Sequence, residues 1–169
     1  MKIGIISDTH GNLNYLMDVV NFLKENYNVK KIYHLGDNYG DGNALKKAGI
    51  EYLIVPGIYD PEYEINNIPN CIIDKVEGFK ILLTHSLDDI DFTEKKYSKC
   101  KIICHGHTHN WRVELIEGIL YLNPGHLKEK VHKGRIASFA LLSIESFFLK
   151  VKIFDINKNL LKEEKFLYF

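Results

Sequence analysis

Five short apolar runs in this chain each stop at a turn rich in carboxylates or imidazoles, and that repeated placement limits the folds it can adopt. Ile3 to Ser7 runs into Asp8-Thr9-His10, Ile32 to Leu35 into Gly36-Asp37, and Leu53 to Val55 into Gly57-Ile58-Tyr59-Asp60. Ile81 to Thr84 meets His85, and Ile102 to Cys104 meets His105-Gly106-His107-Thr108-His109. Runs of this length bounded by turns read as buried strands. Parallel strands of one sheet carry their C-terminal ends to a common edge, which is where open α/β sheets place ligands. Asp8, His10, Asp37, His85, His107 and His109 are therefore expected to project toward one rim.

The intervening segments supply helices first and hairpins later. Leu16, Val19, Val20 and Leu23 recur at helical spacing within Leu13 to Asn26, with Asn12 or Gly11 as the cap. A short helix is expected near Gly42 to Ala48, and the polar segment Asp88 to Tyr97 also reads as helical. Tyr52 to Val55 reads as a strand, while Cys71 to Val76 and Lys80 to Thr84 form strands joined by a turn at Glu77-Gly78. Further hairpins are expected from Arg112 to Ile116 with Ile119 to Leu122, and from Ser138 to Ile144 with Phe147 to Phe154. A last strand follows at Leu160 to Tyr168. No repeat or linker divides residues 1–169, which read as one α/β domain of two sheets packed face to face with helices outside.

Composition narrows the chemistry. The 22 basic and 22 acidic side chains cancel, so there is no broad field to hold nucleic acid or an anionic membrane. No apolar stretch approaches the ~18 residues needed to span a bilayer. The 3 cysteines, Cys71, Cys100 and Cys104, contain no CxxC pair, which argues for a reducing, cytoplasmic setting. Four of the 8 histidines, His105, His107, His109 and His126, fall in one short stretch, a metal signal. Asp8 with His10, and His107 with His109, are two apart and face the same side in extended backbone. Carboxylate mixed with imidazole suits manganese, iron, cobalt, nickel or zinc more than calcium. Six donors exceed what one catalytic ion needs and suit two ions ~3.5–4 Å apart that share a carboxylate. Such a pair points to phosphoryl or acyl hydrolysis by a hydroxide held between the ions. No GxSxG elbow offers a serine nucleophile.

In order and spacing, these motifs resemble the calcineurin-like metallophosphoesterases, in particular their small single-domain prokaryotic phosphodiesterase branch. The family order is DxH, GD, GNxD, an isolated His, then GHxH. Here it reads Asp8-Thr9-His10, Gly36-Asp37, Gly57-Ile58-Tyr59-Asp60, His85 and Gly106-His107-Thr108-His109. Asn123-Pro124-Gly125 also matches the branch, which usually continues with Ser where this chain has His126. The resemblance spans Met1 to about Ile144. It implies an α/β fold, a four-layer α/β/β/α sandwich of two mixed sheets flanked by helices. It implies a phosphodiesterase or phosphatase acting on a small phosphate ester with two divalent ions, manganese first and nickel, iron, cobalt or zinc as alternatives. Asp8, His10 and His109 would then hold one ion, His85 and His107 the other, and Asp37 both. Asp8, His10, Asp37 and His85 form the implied catalytic set.

One family ligand is absent. The Asn of the third motif is Ile58, whose hydrocarbon side chain coordinates nothing. Even losing a supporting contact costs roughly 10–100-fold in metal affinity or activity, so a weakened second site is expected. Asp60, Asn38 and Asn12 are the nearby replacements. Tyr59 stands where the family carries the residue that protonates the leaving group, and a phenol with an ordinary pKa of ~10 is a poor acid for that task. Asn12, Asn38, Tyr59 and His126 are the candidates for touching substrate. Trp111, Arg112 and Arg135 could line a substrate wall or meet a phosphate, although such residues commonly serve the core or the surface. His34 reads as a packed strand residue, His105 as a strand end and His132 as solvated. The competing reading is a non-catalytic or single-metal protein-interaction scaffold, the use to which a retromer subunit puts the same fold. No membrane partner is expected, and a homodimer is compatible with the sequence.

Overall fold

A computed structural model describes residues 1–145 and 147–167. Strand β1 (Lys2–Ile6) leads to α1 (Leu13–Tyr27), β2 (Lys31–His34), α2 (Gly42–Lys47) and β3 (Glu51–Ile54). Then come β4 (Cys71–Val76), β5 (Phe79–Thr84), β6 (Ile102–Cys104), β7 (Arg112–Ile116) and β8 (Ile119–Asn123). A small hairpin, β9 (Val131–His132) with β10 (Arg135–Ile136), precedes β11 (Ser138–Glu145), β12 (Phe148–Asp155) and β13 (Leu160–Leu167). Ser146, in the expected turn between Ile144 and Phe147, and Tyr168, the expected end of the last strand, lie outside the described residues.

Two mixed sheets carry the fold. The first runs β13-β12-β11-β1-β2-β3, with β1, β2 and β3 parallel; the second runs β4-β5-β6-β8-β7, with β5, β6 and β8 parallel. The period of two along β1 divides its side chains between layers. Ile3 and Ile5 join Tyr33, Leu142 and Val151 against Ile81, Leu83, Ile102 and Leu122 of the second sheet. Ile6 points the other way, into a layer formed with Leu16, Val19, Val20 and Leu23 of α1 and Leu45 of α2. Full burial of each of those α1 side chains stabilises the fold by roughly 1.5–3 kcal/mol. Helix α1 begins where Asn12 Oδ1 accepts from Tyr15 N at 3.2 Å and ends at Asn28, in left-handed backbone with φ 55°.

Two expectations need correction. The parallel strands belong to two sheets rather than one, and their C-terminal ends meet at the same end of the sandwich. His85, following β5, is bonded to the Leu35 carbonyl that follows β2 at 2.6 Å. Secondly, Asp88 to Tyr97 is not helical. After a 3₁₀ turn at Leu87–Asp89 the segment continues in turns, because its polar side chains satisfy the local backbone. Ser86 and Asp89 form a reciprocal cap, and Asp91 Oδ1 accepts from Thr93 N at 2.9 Å. Ile90, Tyr97 and Cys100 still pack on Leu82 and Ile103, so this turn-rich stretch serves as the outer layer of the second sheet. The β9–β10 hairpin was not foreseen, since two-residue strands carry no readable alternation.

Candidate metal centre

The loops that leave the parallel strands turn sharply. Asp8, His10, Asp37, His107 and His109 all have left-handed backbone, with φ of 53°, 47°, 56°, 65° and 57°. Such conformations cost about 1–3 kcal/mol each and persist only where the surroundings over-determine them. Here Asp8 N donates to Gly36 O at 3.0 Å and His10 N to Asp37 O at 2.9 Å, so the first two loops are stitched together by backbone. Two glycines let the loops nest. A Cβ at Gly57 would lie 2.1 Å from Asp37 Oδ1, and one at Gly106 would lie 2.0 Å from Ser7 Oγ.

These turns bring side chains from both sheets to one place. Ligand atoms of Asp8, His10, Asp37 and His109 all lie within 4.8 Å of one another. Asp8 Oδ1 is 3.1 Å from His109 Nε2, and His10 Nε2 is 3.2 Å from His109 Nε2 and 3.5 Å from Asp37 Oδ2. On the other side of Asp37, His85 Nε2 stands 3.5 Å from Oδ1. The His107 ring stands 5.3 Å from that of His85, and its backbone N donates to Asp8 Oδ2 at 3.1 Å. His85 Nδ1–H donates to the Leu35 carbonyl, which fixes the tautomer and turns the Nε2 lone pair toward Asp37.

The donor set fits a cation. Asp8 Oδ1, Asp37 Oδ1 and His85 Nε2 are buried and have no hydrogen-bond partner among the described residues. A buried polar atom left unpaired costs about 1–3 kcal/mol, and such atoms on Asp37 and on its neighbours Asp8 and His85 are what bound cations would satisfy. Burial, reinforced by the nearby Asp8 charge, raises the Asp37 carboxyl above its ordinary range although His85 opposes it. Burial also works against ionised Asp8, but His109 and His85 outweigh it and hold that carboxyl below its usual range. Burial lowers His10, favouring the neutral imidazole that can coordinate.

None of the candidate replacements for the missing ligand is turned to the site. Asp60 accepts from Gly57 N at 2.7 Å, Asn38 N at 3.3 Å and Tyr39 N at 3.0 Å, so its carboxylate is engaged by backbone. The Asn38 amide donates to Asp41, and the Asn12 amide donates to Lys128 O at 2.9 Å while its carbonyl caps α1. Ile58 is 39% exposed, beside Tyr59 at 76%.

A cavity of about 400 Å³ opens over the cluster, lined by His10, Asp37, Tyr59, His107, His109 and the basic residues of the β9–β10 region. Tyr59 thus faces the space where a substrate would sit. His126 does not: it is 0% exposed, stacked on His109 with ring centres 5.1 Å apart, and its Nε2 meets Arg135 O at 3.1 Å. It buttresses a ligand candidate. His132, expected in solvent, is half-buried, 5.0 Å from the His109 ring and 2.6 Å from Glu129. His105 is buried against Asn123 Nδ2 at 3.3 Å, away from the cluster, and burial lowers its pKa to about 4. Trp111 and Arg112 line an adjoining cavity of about 540 Å³.

The sequence reading passed over Asp41, Lys128 and Lys133. Asp41 is fully buried under the site and holds His34, Thr9 and Asn38. Its only sequence signal was His34, an imidazole inside an apolar strand that required a partner.

The profile of the calcineurin-like phosphoesterase superfamily domain matches residues 1–146. A phosphodiesterase of Methanocaldococcus jannaschii is 25% identical over 148 residues, covering 74% of this chain and 83% of that protein. A probable metallophosphoesterase of Bacillus subtilis is 25% identical over 163 residues, covering 92% and 91% respectively. The structure of vacuolar protein sorting 29 from Cryptosporidium parvum shares the fold, with a TM-score of 0.74 at 20% identity over 99% of this chain and 98% of that one. With the family motifs in sequence order and their side chains gathered at one end of the two sheets, the chain belongs to the calcineurin-like phosphoesterase superfamily.

Proposed function

We propose that this chain is a divalent-metal-dependent phosphoesterase acting on a small phosphate ester. In this reading Asp8, His10 and His109 hold one ion, His85 and His107 hold a second, and Asp37 contributes to both. The observation that carries it is the meeting of Asp8, His10, His85 and His109, from two sheets, around Asp37, with three buried donor atoms left unpartnered. Bound there, divalent ions would neutralise charge on phosphate oxygens and activate water for in-line attack.

The chain's own residues set the conditions for that chemistry. His85 is locked in the coordinating tautomer by Leu35 O, and His109 is held from behind by the stacked His126. Tyr59 is the hydroxyl that lines the cavity beside His10, with ring centres 6.5 Å apart, and is the candidate to hold a proton for the leaving oxygen. The second ion is one protein donor short at Ile58, because Asn12, Asn38 and Asp60 are engaged elsewhere. Its affinity is expected to be at least roughly 10–100-fold below that of a complete site.

The test is calorimetric titration of chelator-stripped protein with manganese, alongside turnover of bis(p-nitrophenyl) phosphate. Two binding events with a weaker second, and turnover that rises with metal, are expected. No ion bound at micromolar metal, together with no turnover, overturns the proposal. The Ile58 side chain also favours a second reading, a single-metal interaction scaffold. One tightly bound ion without turnover at any metal concentration would support that reading.

A further inference from the structure

Three cations that the phosphoesterase reading leaves without a task converge on the cavity over the cluster. Lys128, Lys133 and Arg135 line it together with His10 and Asp37. Two of them are tied to loops that deliver metal-ligand candidates. The Lys128 carbonyl accepts from the Asn12 amide at 2.9 Å, just beyond His10. Arg135 donates to the Thr108 carbonyl, between His107 and His109. Lys133 sits at the tip of the β9–β10 hairpin, where it and Gly134 adopt φ of 48° and 78°, a tight turn of the primed kind.

These charges lack counter-ions. Among the described residues none of the three forms an ion pair, and Asp37 is the only carboxylate lining the cavity. The neighbouring acid, Glu129, lies 2.6 Å from His132. Like charges gathered without an opposite charge repel one another and raise the local concentration of anions. The reacting phosphate of a diester bears a single negative charge, which ions in the centre would already answer. Three further cations beside it match negative charge elsewhere on the same molecule, and Arg135, held by a backbone carbonyl, presents a fork suited to phosphate oxygens.

Resting on the phosphoesterase reading, we infer that the substrate carries a second phosphate group, not cleaved, which Lys128, Lys133 and Arg135 hold. The substrate class is then phosphorylated nucleotide or sugar esters rather than simple diesters, and the β9–β10 hairpin is a specificity element.

The test measures binding of adenosine monophosphate, and of an adenosine bisphosphate with phosphates on opposite ribose carbons, to the manganese-loaded protein by calorimetry. Wild type is compared with a Lys128→Gln/Lys133→Gln variant and with a Lys2→Gln/Lys30→Gln control at the opposite end of β1. Wild type and control are expected to bind the bisphosphate about tenfold tighter or more, since charge-assisted hydrogen bonds are the strong class. In the Lys128/Lys133 variant the ratio falls toward one. Equal affinities in wild type, or a preference that survives in that variant, overturn the inference. Bis(p-nitrophenyl) phosphate turnover separates the two readings. Intact metal-dependent turnover with a ratio near one removes only the second-phosphate assignment, whereas no turnover removes the phosphoesterase reading and this inference with it.

Discussion

His34 Nε2 lies 2.9 Å from Asp41 Oδ2, and both side chains are fully buried. His34 Nδ1 accepts from Gly36 N at 3.2 Å, so its Nε2 carries the proton and donates to Asp41. The same carboxylate accepts from the Thr9 hydroxyl and the Asn38 amide. It therefore joins the loop of Asp8 and His10 to the loop of Asp37 from below. Burial alone would raise the Asp41 carboxyl, but His34, Thr9 and Asn38 outweigh it and hold it below its ordinary range.

Removing that junction should damage the site without touching a ligand. Asp41→Ala leaves two buried donors, on His34 and Thr9, and the half-buried Asn38 amide unpaired, at about 1–3 kcal/mol for each buried donor before relaxation. The expected result is a fall in stability of a few kcal/mol together with metal affinity reduced roughly 10–100-fold. Denaturant melts and manganese titration measure the two effects. Asp41→Asn, which keeps the volume and one acceptor, should recover part of both. Wild-type metal affinity in Asp41→Ala would show that the loops hold their shape without it.

The candidate ligands were legible because each sits within five residues of an apolar strand end, a signal local to the chain. Asp41 was not legible, since its partners come from β2 and from two loops that only the folded sheet juxtaposes. Lys128 and Lys133 escaped notice for the same reason, and so did the delivery of His85 from a second sheet. The failed helix at Asp88 to Tyr97 shows a different limit. Its Ile90 and Tyr97 fit helical spacing, but Asp89 and Asp91 bond to nearby backbone and favour turns.

The vacancy in the ligand set at Ile58 makes a gain-of-function change available. Ile58→Asn restores an amide oxygen at the family's ligand position, and Ile58 is exposed enough that the core loses little. Affinity for the second manganese should rise by about 10–100-fold, and turnover at limiting metal should rise with it. Calorimetry resolves the two events. An unchanged second affinity would mean that another donor already serves there.

Asp37→Asn should separate function from stability. Asp37 is buried beside Asp8, so in metal-free protein its charge is opposed by desolvation and by a like neighbour. The neutral amide relieves both, and the metal-free variant should melt at a higher temperature than metal-free wild type. Metal-dependent turnover should drop by at least about 10²-fold, since the donor shared by both ions is weakened. Thermal melts in chelator and in manganese read the two effects. A metal-free variant less stable than wild type would show that Asp37 is satisfied without a cation.

At the far end of the sheets the polar contacts serve stability alone. Lys31 Nζ is 2.7 Å from Asp74 Oδ2, and Tyr33 OH donates to the same oxygen at 2.6 Å, linking β2 of the first sheet to β4 of the second. Burial raises the Asp74 carboxyl, but Lys31 and Tyr33 outweigh it and hold it below the ordinary 3.8. A carboxyl whose folded pKa is depressed contributes stability above its unfolded pKa, and that contribution is lost as pH falls through the folded value. Lys31 is raised, with burial opposing and Asp74 and Glu51 prevailing, so its share persists until pH climbs through the raised value. Asp74→Asn should therefore lower stability by about 1–3 kcal/mol at neutral pH. The gap from wild type should stay constant across the neutral range and close below pH 3.8, as Asp74 itself takes up a proton. Denaturation midpoints of both proteins along an acid series measure this. A gap that persists undiminished at the acid end would mean that Asp74 acts through packing rather than through its charge.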